Sequence, residues 1–142
     1  MSNPEDLIVR ALELTDRHDW AGREALMTPD CEFVMAGVTL QGPAATTAYS
    51  KPMMAALPDA THHLDLVVSS GDVVVAEGTW TGTHTAPLAT PNGEVLATGR
   101  TVRLSFAMVA RVLDGRIASM RVYLDQLAFL GQLGLVPQPQ AA

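Results

Sequence analysis

The stretch Gly115–Leu135, GRIASMRVYLDQLAFLGQLGL, decides the fold. It predicts a final strand over Arg116–Leu124, then Asp125, then a short apolar helix closing at Gly134. Asp114-Gly115 just before it is a strong two-residue hairpin signal, so the strand before it, about Arg100–Leu113, is its antiparallel partner. That partner alternates cleanly, with Val102, Leu104, Phe106, Met108, Ala110 and Val112 on one side. An acidic residue where a buried strand meets a helix is either a helix cap or a piece of chemistry.

Working back, Thr61–Ser69 and Val73–Thr85 also alternate, and Ser70-Gly71-Asp72 turns one into the other. The first puts His62, Leu64, Leu66 and Val68 inward, with His63, Asp65 and Ser69 outward. The second puts Val74, Ala76, Gly78, Trp80, Gly82 and His84 inward and leaves Glu77 and the threonines outside. A loop carrying Pro87, Pro91 and Asn92-Gly93 precedes the long strand.

Upstream the period is helical. Asn3 caps a first helix, with Pro4 at its first position and Glu5 and Asp6 in its first turn. Leu7, Ile8, Ala11, Leu12 and Thr15 form its apolar stripe. Asp19 starts a short helix from Trp20 to Met27 that Thr28-Pro29-Asp30 ends, and Cys31–Val34 is a brief strand. Gly42-Pro43 opens a third helix to about Leu57, which Pro52 should kink or split. Helices first, then a meander of long strands, then a closing helix give α+β: a curved antiparallel sheet with the N-terminal helices on its concave face around a cone-shaped cavity. Residues 1–136 are expected to form one domain and 137–142 a disordered tail.

Composition narrows the function. The chain has 142 residues, is 48% hydrophobic and only 17% charged, so it carries apolar surface to spare for a cavity or subunit interface. A net charge of −6 without any basic run argues against nucleic acid. One cysteine, Cys31, excludes an internal disulfide and a cysteine-rich metal site. The start, MSNPEDL, lacks the pattern of a signal peptide, and no run is long enough to cross a membrane. A cytoplasmic protein is the expectation. Neither Gly-x-Ser-x-Gly nor a glycine-rich phosphate loop occurs.

Four segments together, HDWAGREALMTPDCEF (18–33), LPDATHHLDLVVSSGDVVV (57–75), GTHTAPL (82–88) and DGRIASMRVYLDQLAFLGQLGL (114–135), resemble the SnoaL-like polyketide cyclases of the nuclear-transport-factor-2-like superfamily. The resemblance implies a cone-shaped fold, no metal, no organic cofactor, and assembly into dimers or tetramers. It places Asp125 where the family carries the general acid/base of an intramolecular aldol condensation on an apolar, polyketide-like substrate. Where many members have acidic, His and Trp residues after the hairpin, this chain has Ser119, Met120 and Arg121.

Each candidate also has a plainer reading. Asp125 is placed to N-cap a helix starting at Gln126, worth about 1 kcal/mol, although the reciprocal capping-box position is Ala128. Arg121 and Tyr123 share its strand face. His84 is a candidate catalytic group and His62 a candidate substrate contact, although a buried histidine is more often a hydrogen-bonded core or pocket residue than a catalyst. Trp80, Phe106, Met53 and Met108 are substrate-lining or simply core. Two histidines without a third ligand make no zinc site. Two other classes stay open. One is epoxide hydrolase or isomerase chemistry on the same scaffold, for which no second inward acid is visible. The other is a non-catalytic binding subunit, with Val109 and Ile117 as outward apolar positions.

Overall fold

The computed structural model describes residues 3–137. In chain order they form α1 (Pro4–Asp16), α2 (Trp20–Glu24), β1 (Met27–Met35), β2 (Val38–Gln41), α3 (Pro43–Ala56), β3 (Thr61–Ser70), β4 (Val73–Thr83), β5 (Leu88–Thr90), β6 (Gly93–Val95), β7 (Thr101–Leu113), β8 (Arg116–Leu124) and α4 (Gln126–Gln132). The expected tail lies outside the described residues except for Pro137. The main sheet has six strands in the order β2-β1-β8-β7-β4-β3. It is mixed rather than wholly antiparallel, because β1 runs parallel to β8. The helix layer joins β1 to the far edge of the meander, which a hairpin connection could not do.

Local chemistry accounts for the element ends. Asn3 accepts the Asp6 N–H at 2.8 Å, and Asp19 accepts the Gly22 N–H at 2.9 Å. The β7–β8 turn holds Asp114 at φ 51° and Gly115 at φ 77°, the paired positive angles that a tight hairpin of this hand needs. Three readings change. β1 begins at Met27 and passes through Pro29, which is tolerated because the pairing with β8 is irregular between Met27 and Glu32. β2, and the ribbon of β5 and β6, fill segments expected to be a connection and a loop. Pro52 sits inside α3 without splitting it; the carbonyl it orphans belongs to exposed Ala48, where water can satisfy it.

Two bulges set the facing of the outer strands. Leu64 pairs with Gly78 but Leu66 with Glu77, so Asp65 is an extra residue in β3. Beyond it the parity inverts: Val67 turns inward, while Leu66 and Val68, expected inside, are 48% and 46% exposed. In β8, Val112 pairs with Ile117 but Arg111 with Ser119, so Ala118 is extra. Ile117, expected outside, is fully buried, and Met120, Val122 and Leu124 continue the inner face.

The helices pack on the inner face only. At the β7–β8 hairpin end, α1 seals Val74, Ala76, Met108, Ala110 and Ile117 against Leu7, Ile8 and Ala11. At the other end α3 and α4 close over Val102 and Leu104 with Met54, Leu57, Phe129 and Leu133. Between them His62, Leu64, Trp80, Val122 and Leu124 face inward yet stay half-buried.

Two predictions follow from this packing. A Cβ on Gly78 would overlap the His63 carbonyl oxygen that the bulge folds across it. Gly78→Ala should therefore destabilise by about 3 kcal/mol in urea unfolding, whereas an unstrained strand would gain stability. Asp59 takes the Thr83 N–H at 2.7 Å and the Thr83 hydroxyl at 2.9 Å, and these bonds hold its pKa below the ordinary carboxylate value. A depressed folded pKa gives stability that is present above the ordinary value and is lost as pH falls through the folded one. Asp59→Asn should accordingly lower the neutral plateau of a melting-temperature profile slightly and flatten its acid limb, the two proteins converging at low pH.

Candidate active site

Asp16 closes α1 and His62 opens the inner row of β3. The carboxylate of Asp16 takes both donors His62 can offer it: Oδ1 lies 2.6 Å from the ring Nδ1, and Oδ2 accepts the backbone N–H at 2.9 Å. The side chains are 17% and 18% exposed, wet enough to exchange protons and dry enough for the pairing to matter. A carboxylate oxygen accepts, so the contact is made with Nδ1 as the donor. Nε2 has no protein partner among the described residues. The ring is walled by Phe106, edge-on at 5.4 Å and 87°, and by Trp80 at 6.5 Å.

Asp16 also sits at the wrong end of its helix. An anion is disfavoured by the partial negative charge of a helix C-terminus, and no basic residue occupies the last turn of α1. The same field makes the carboxylate a stronger acceptor for a charged imidazole. A groove of about 210 Å³ between α1 and β3, lined by Val9, Leu12, Glu13, Asp16, His62, His63 and Leu64, reaches the pair from the sheet edge. A larger hollow of about 420 Å³ lies on the outer face, among Asp65, Glu77, Thr79, Ser105 and Tyr123. It holds no oriented base, so volume alone does not mark the site.

The residues expected from sequence divide sharply. His62, Trp80 and Phe106 come together. Met53 is half-buried against the core at the α3–α4 end, and Met108 is closed into the core at the hairpin end. Asp125, Tyr123 and Arg121 do share a face, and it is the outer one. Tyr123 is 57% exposed. Arg121 pairs with Glu32 at 3.5 Å. Asp125 is exposed and caps α4, accepting the Ala128 N–H at 2.9 Å.

His84 is buried four residues along β4 from Trp80, about 13 Å at the usual strand rise. Its Nδ1 accepts the Thr98 N–H at 3.2 Å and lies 3.0 Å from the Thr98 hydroxyl, which ties down the exposed segment before β7. Among the described residues no group of three or more His, Cys, Asp or Glu converges as a metal would need. Sequence reasoning missed Asp16. The one signal for it was an acid in the last turn of an amphipathic helix, where a base is favoured.

A family model described as SnoaL-like polyketide cyclase matches residues 5–133. No curated protein matches by sequence. Among solved structures, AclR from Streptomyces galilaeus is 20% identical with a TM-score of 0.82, covering 96% of this chain and 84% of its own. IdmH from Streptomyces antibioticus, a proposed polyketide cyclase, is 25% identical with a TM-score of 0.78 over 94% of this chain and 99% of its own. A Catenulispora acidiphila protein with a ketosteroid isomerase-like fold, solved with trimethylamine, is 18% identical with a TM-score of 0.76 over 95% and 96%.

The capping geometry of Asp125 predicts its mutants. Asp125→Ala should cost about 1 kcal/mol of stability and Asp125→Asn only a few tenths, as read by thermal melts of the two variants.

Proposed function

The chain belongs to the SnoaL-like polyketide cyclase family, and from that premise we propose that it is a cofactor-independent cyclase in which His62, oriented by Asp16, is the general base. The observation that carries this reading is the 2.6 Å contact between Asp16 Oδ1 and His62 Nδ1. It leaves Nε2 without a protein partner among the described residues, beside the groove between α1 and β3.

In this mechanism Nε2 of His62 takes a proton from the carbon alpha to a ketone of an apolar, polyketide-like substrate. The electrons of the broken C–H bond pass into the enolate. The enolate carbon then attacks a second carbonyl of the same molecule, forming the new C–C bond, and the resulting alkoxide recovers the proton from Nε2. Base and acid are one group, so no net proton is consumed. Asp16 keeps the ring in the productive tautomer and stabilises the imidazolium between the two transfers. Trp80, Phe106, Val122 and Leu124 supply apolar walls that fold the substrate, which is the entropic share of catalysis.

Epoxide hydrolysis has less support, because Arg121, Asp65 and Glu77 all face away from the inner row. The exposed apolar side chains of Leu66, Val68 and Tyr123 on the uncovered outer face support a homo-oligomer paired through the sheet.

Alpha-proton exchange tests the base without knowledge of the natural substrate. A bicyclic β-keto ester incubated in D2O should gain deuterium faster with the protein than without it. His62→Gln should lower that acceleration by about 100-fold or more, the usual share of a general base. Asp16→Asn should lower it less, and Asp125→Asn should leave it intact. Full exchange in His62→Gln, with loss in Asp125→Asn, would move the base to Asp125 and overturn the assignment.

A further inference from the structure

We propose that Arg23 is the positioning residue that holds Asp16 against His62. The kinetic part of this inference rests on the functional reading above; its structural part does not.

Arg23 is 5% exposed and no carboxylate lies within ion-pair distance of it among the described residues. Burial lowers its pKa to about 10, so it remains a cation at neutral pH. The neighbouring Glu24 offsets that burial only in part, and a buried charge without a contact ion pair is costly, so its retention calls for a reason. Its surroundings are two hydroxyls and an aromatic face. Nη1 donates to Thr15 Oγ1 at 3.3 Å, Nη2 donates to Ser50 Oγ at 3.2 Å, and the guanidinium lies 4.8 Å from the Trp20 ring centroid.

Both hydroxyls are committed in direction. Thr15 Oγ1 donates to the Ala11 carbonyl at 2.8 Å and Ser50 Oγ to the Thr46 carbonyl at 2.9 Å. Their protons are engaged, so only lone pairs face the cation. One planar fork on α2 thus ties the last turn of α1 to the middle of α3. Glu24 adds a second tie from α2 to α3 by accepting the Thr47 hydroxyl at 2.9 Å.

The place where this clamp grips α1 is what matters. Thr15 directly precedes Asp16, at a helix end that normally frays. The chain then reverses at once through His18 at φ 59°, and the Asp19 N–H returns to the Leu14 carbonyl at 2.9 Å. Asp16 is further disfavoured there by the helix dipole. The interaction that immobilises this turn fixes the distance over which Asp16 meets the His62 ring.

The imidazole Hδ1 of His62 reports on that contact directly. A ring proton bonded to a carboxylate is observable by NMR well downfield of the amides when its exchange with water is slow. The resonance is expected in the unmodified protein and absent from Asp16→Asn and His62→Gln, which assign it. In Arg23→Met and Thr15→Val, both with a folded amide spectrum, its exchange with water should quicken by about tenfold, the equivalent of one hydrogen bond. The kcat for α-proton exchange should fall while KM holds, and Arg23→Lys should recover part of both. Thr15→Val changes a hydroxyl to a methyl in place, so it carries the test if Arg23→Met does not fold. An unaltered Hδ1 in folded Thr15→Val or Arg23→Met overturns the inference, even if stability has dropped. If His62→Gln keeps full turnover, the functional reading fails by itself, while the Hδ1 exchange still decides whether Arg23 is the clamp.

Discussion

Strand parity governs this molecule, and two extra residues control it. In a sheet covered on one face, each side chain is assigned to core or solvent by its position along the strand, and one inserted residue reverses every assignment beyond it. Asp65 does this in β3 and Ala118 in β8. The β3 bulge keeps His62 and Leu64 inside while turning Leu66 and Val68 out, and it brings the His63 carbonyl so close to β4 that only glycine fits at position 78. The β8 bulge buries Ile117 and then places Arg121, Tyr123 and Asp125 on the outer face. The inward location of His62 and the solvent-facing location of Asp125 follow from these insertions.

The helix layer contributes the other half of the site and does so against its own stability. A carboxylate in the last turn of α1 and a buried guanidinium that makes no contact ion pair each break a rule that stable helical layers obey. Local violations of this kind concentrate where function requires them, with their cost met by the surrounding packing. Here the packing is ample: Leu7, Ile8, Ala11 and Leu12 lock α1 onto the sheet, so the end of the helix can carry strained electrostatics without unravelling. His62 completes the arrangement by giving Asp16 both a backbone and a ring donor.

Most of the fold was legible because its signals are local. The alternation of β4 and β7, the Asp114-Gly115 hairpin, the caps at Asn3, Asp19 and Asp125, and the stripe of α1 all depend on residues a few positions apart. What the sequence hid is non-local. A bulge leaves no mark in the alternation Leu64-Leu66-Val68, which reads as uninterrupted, and the parallel β1–β8 pairing joins segments at opposite ends of the chain. The site suffered most. His62, Trp80 and Phe106 were readable as inward positions, but Asp16 joins them only through a contact across forty-six positions. Asp125, the most conspicuous acid, was conspicuous as a cap.

Asp125 and Asp16 show how the end of a helix decides what a carboxylate there can do. Both lie where a helix meets the sheet, and the difference is the sense of the helix. At the N-terminus of α4 the free N–H groups and the dipole stabilise an anion, and the carboxylate of Asp125 accepts the Ala128 N–H. At the C-terminus of α1 the field is reversed and no helical N–H is available. Asp16 must find its donors elsewhere, and it finds them on His62. A group left unsatisfied by its own element is the one free to organise a neighbour, and Asp16 does so with His62.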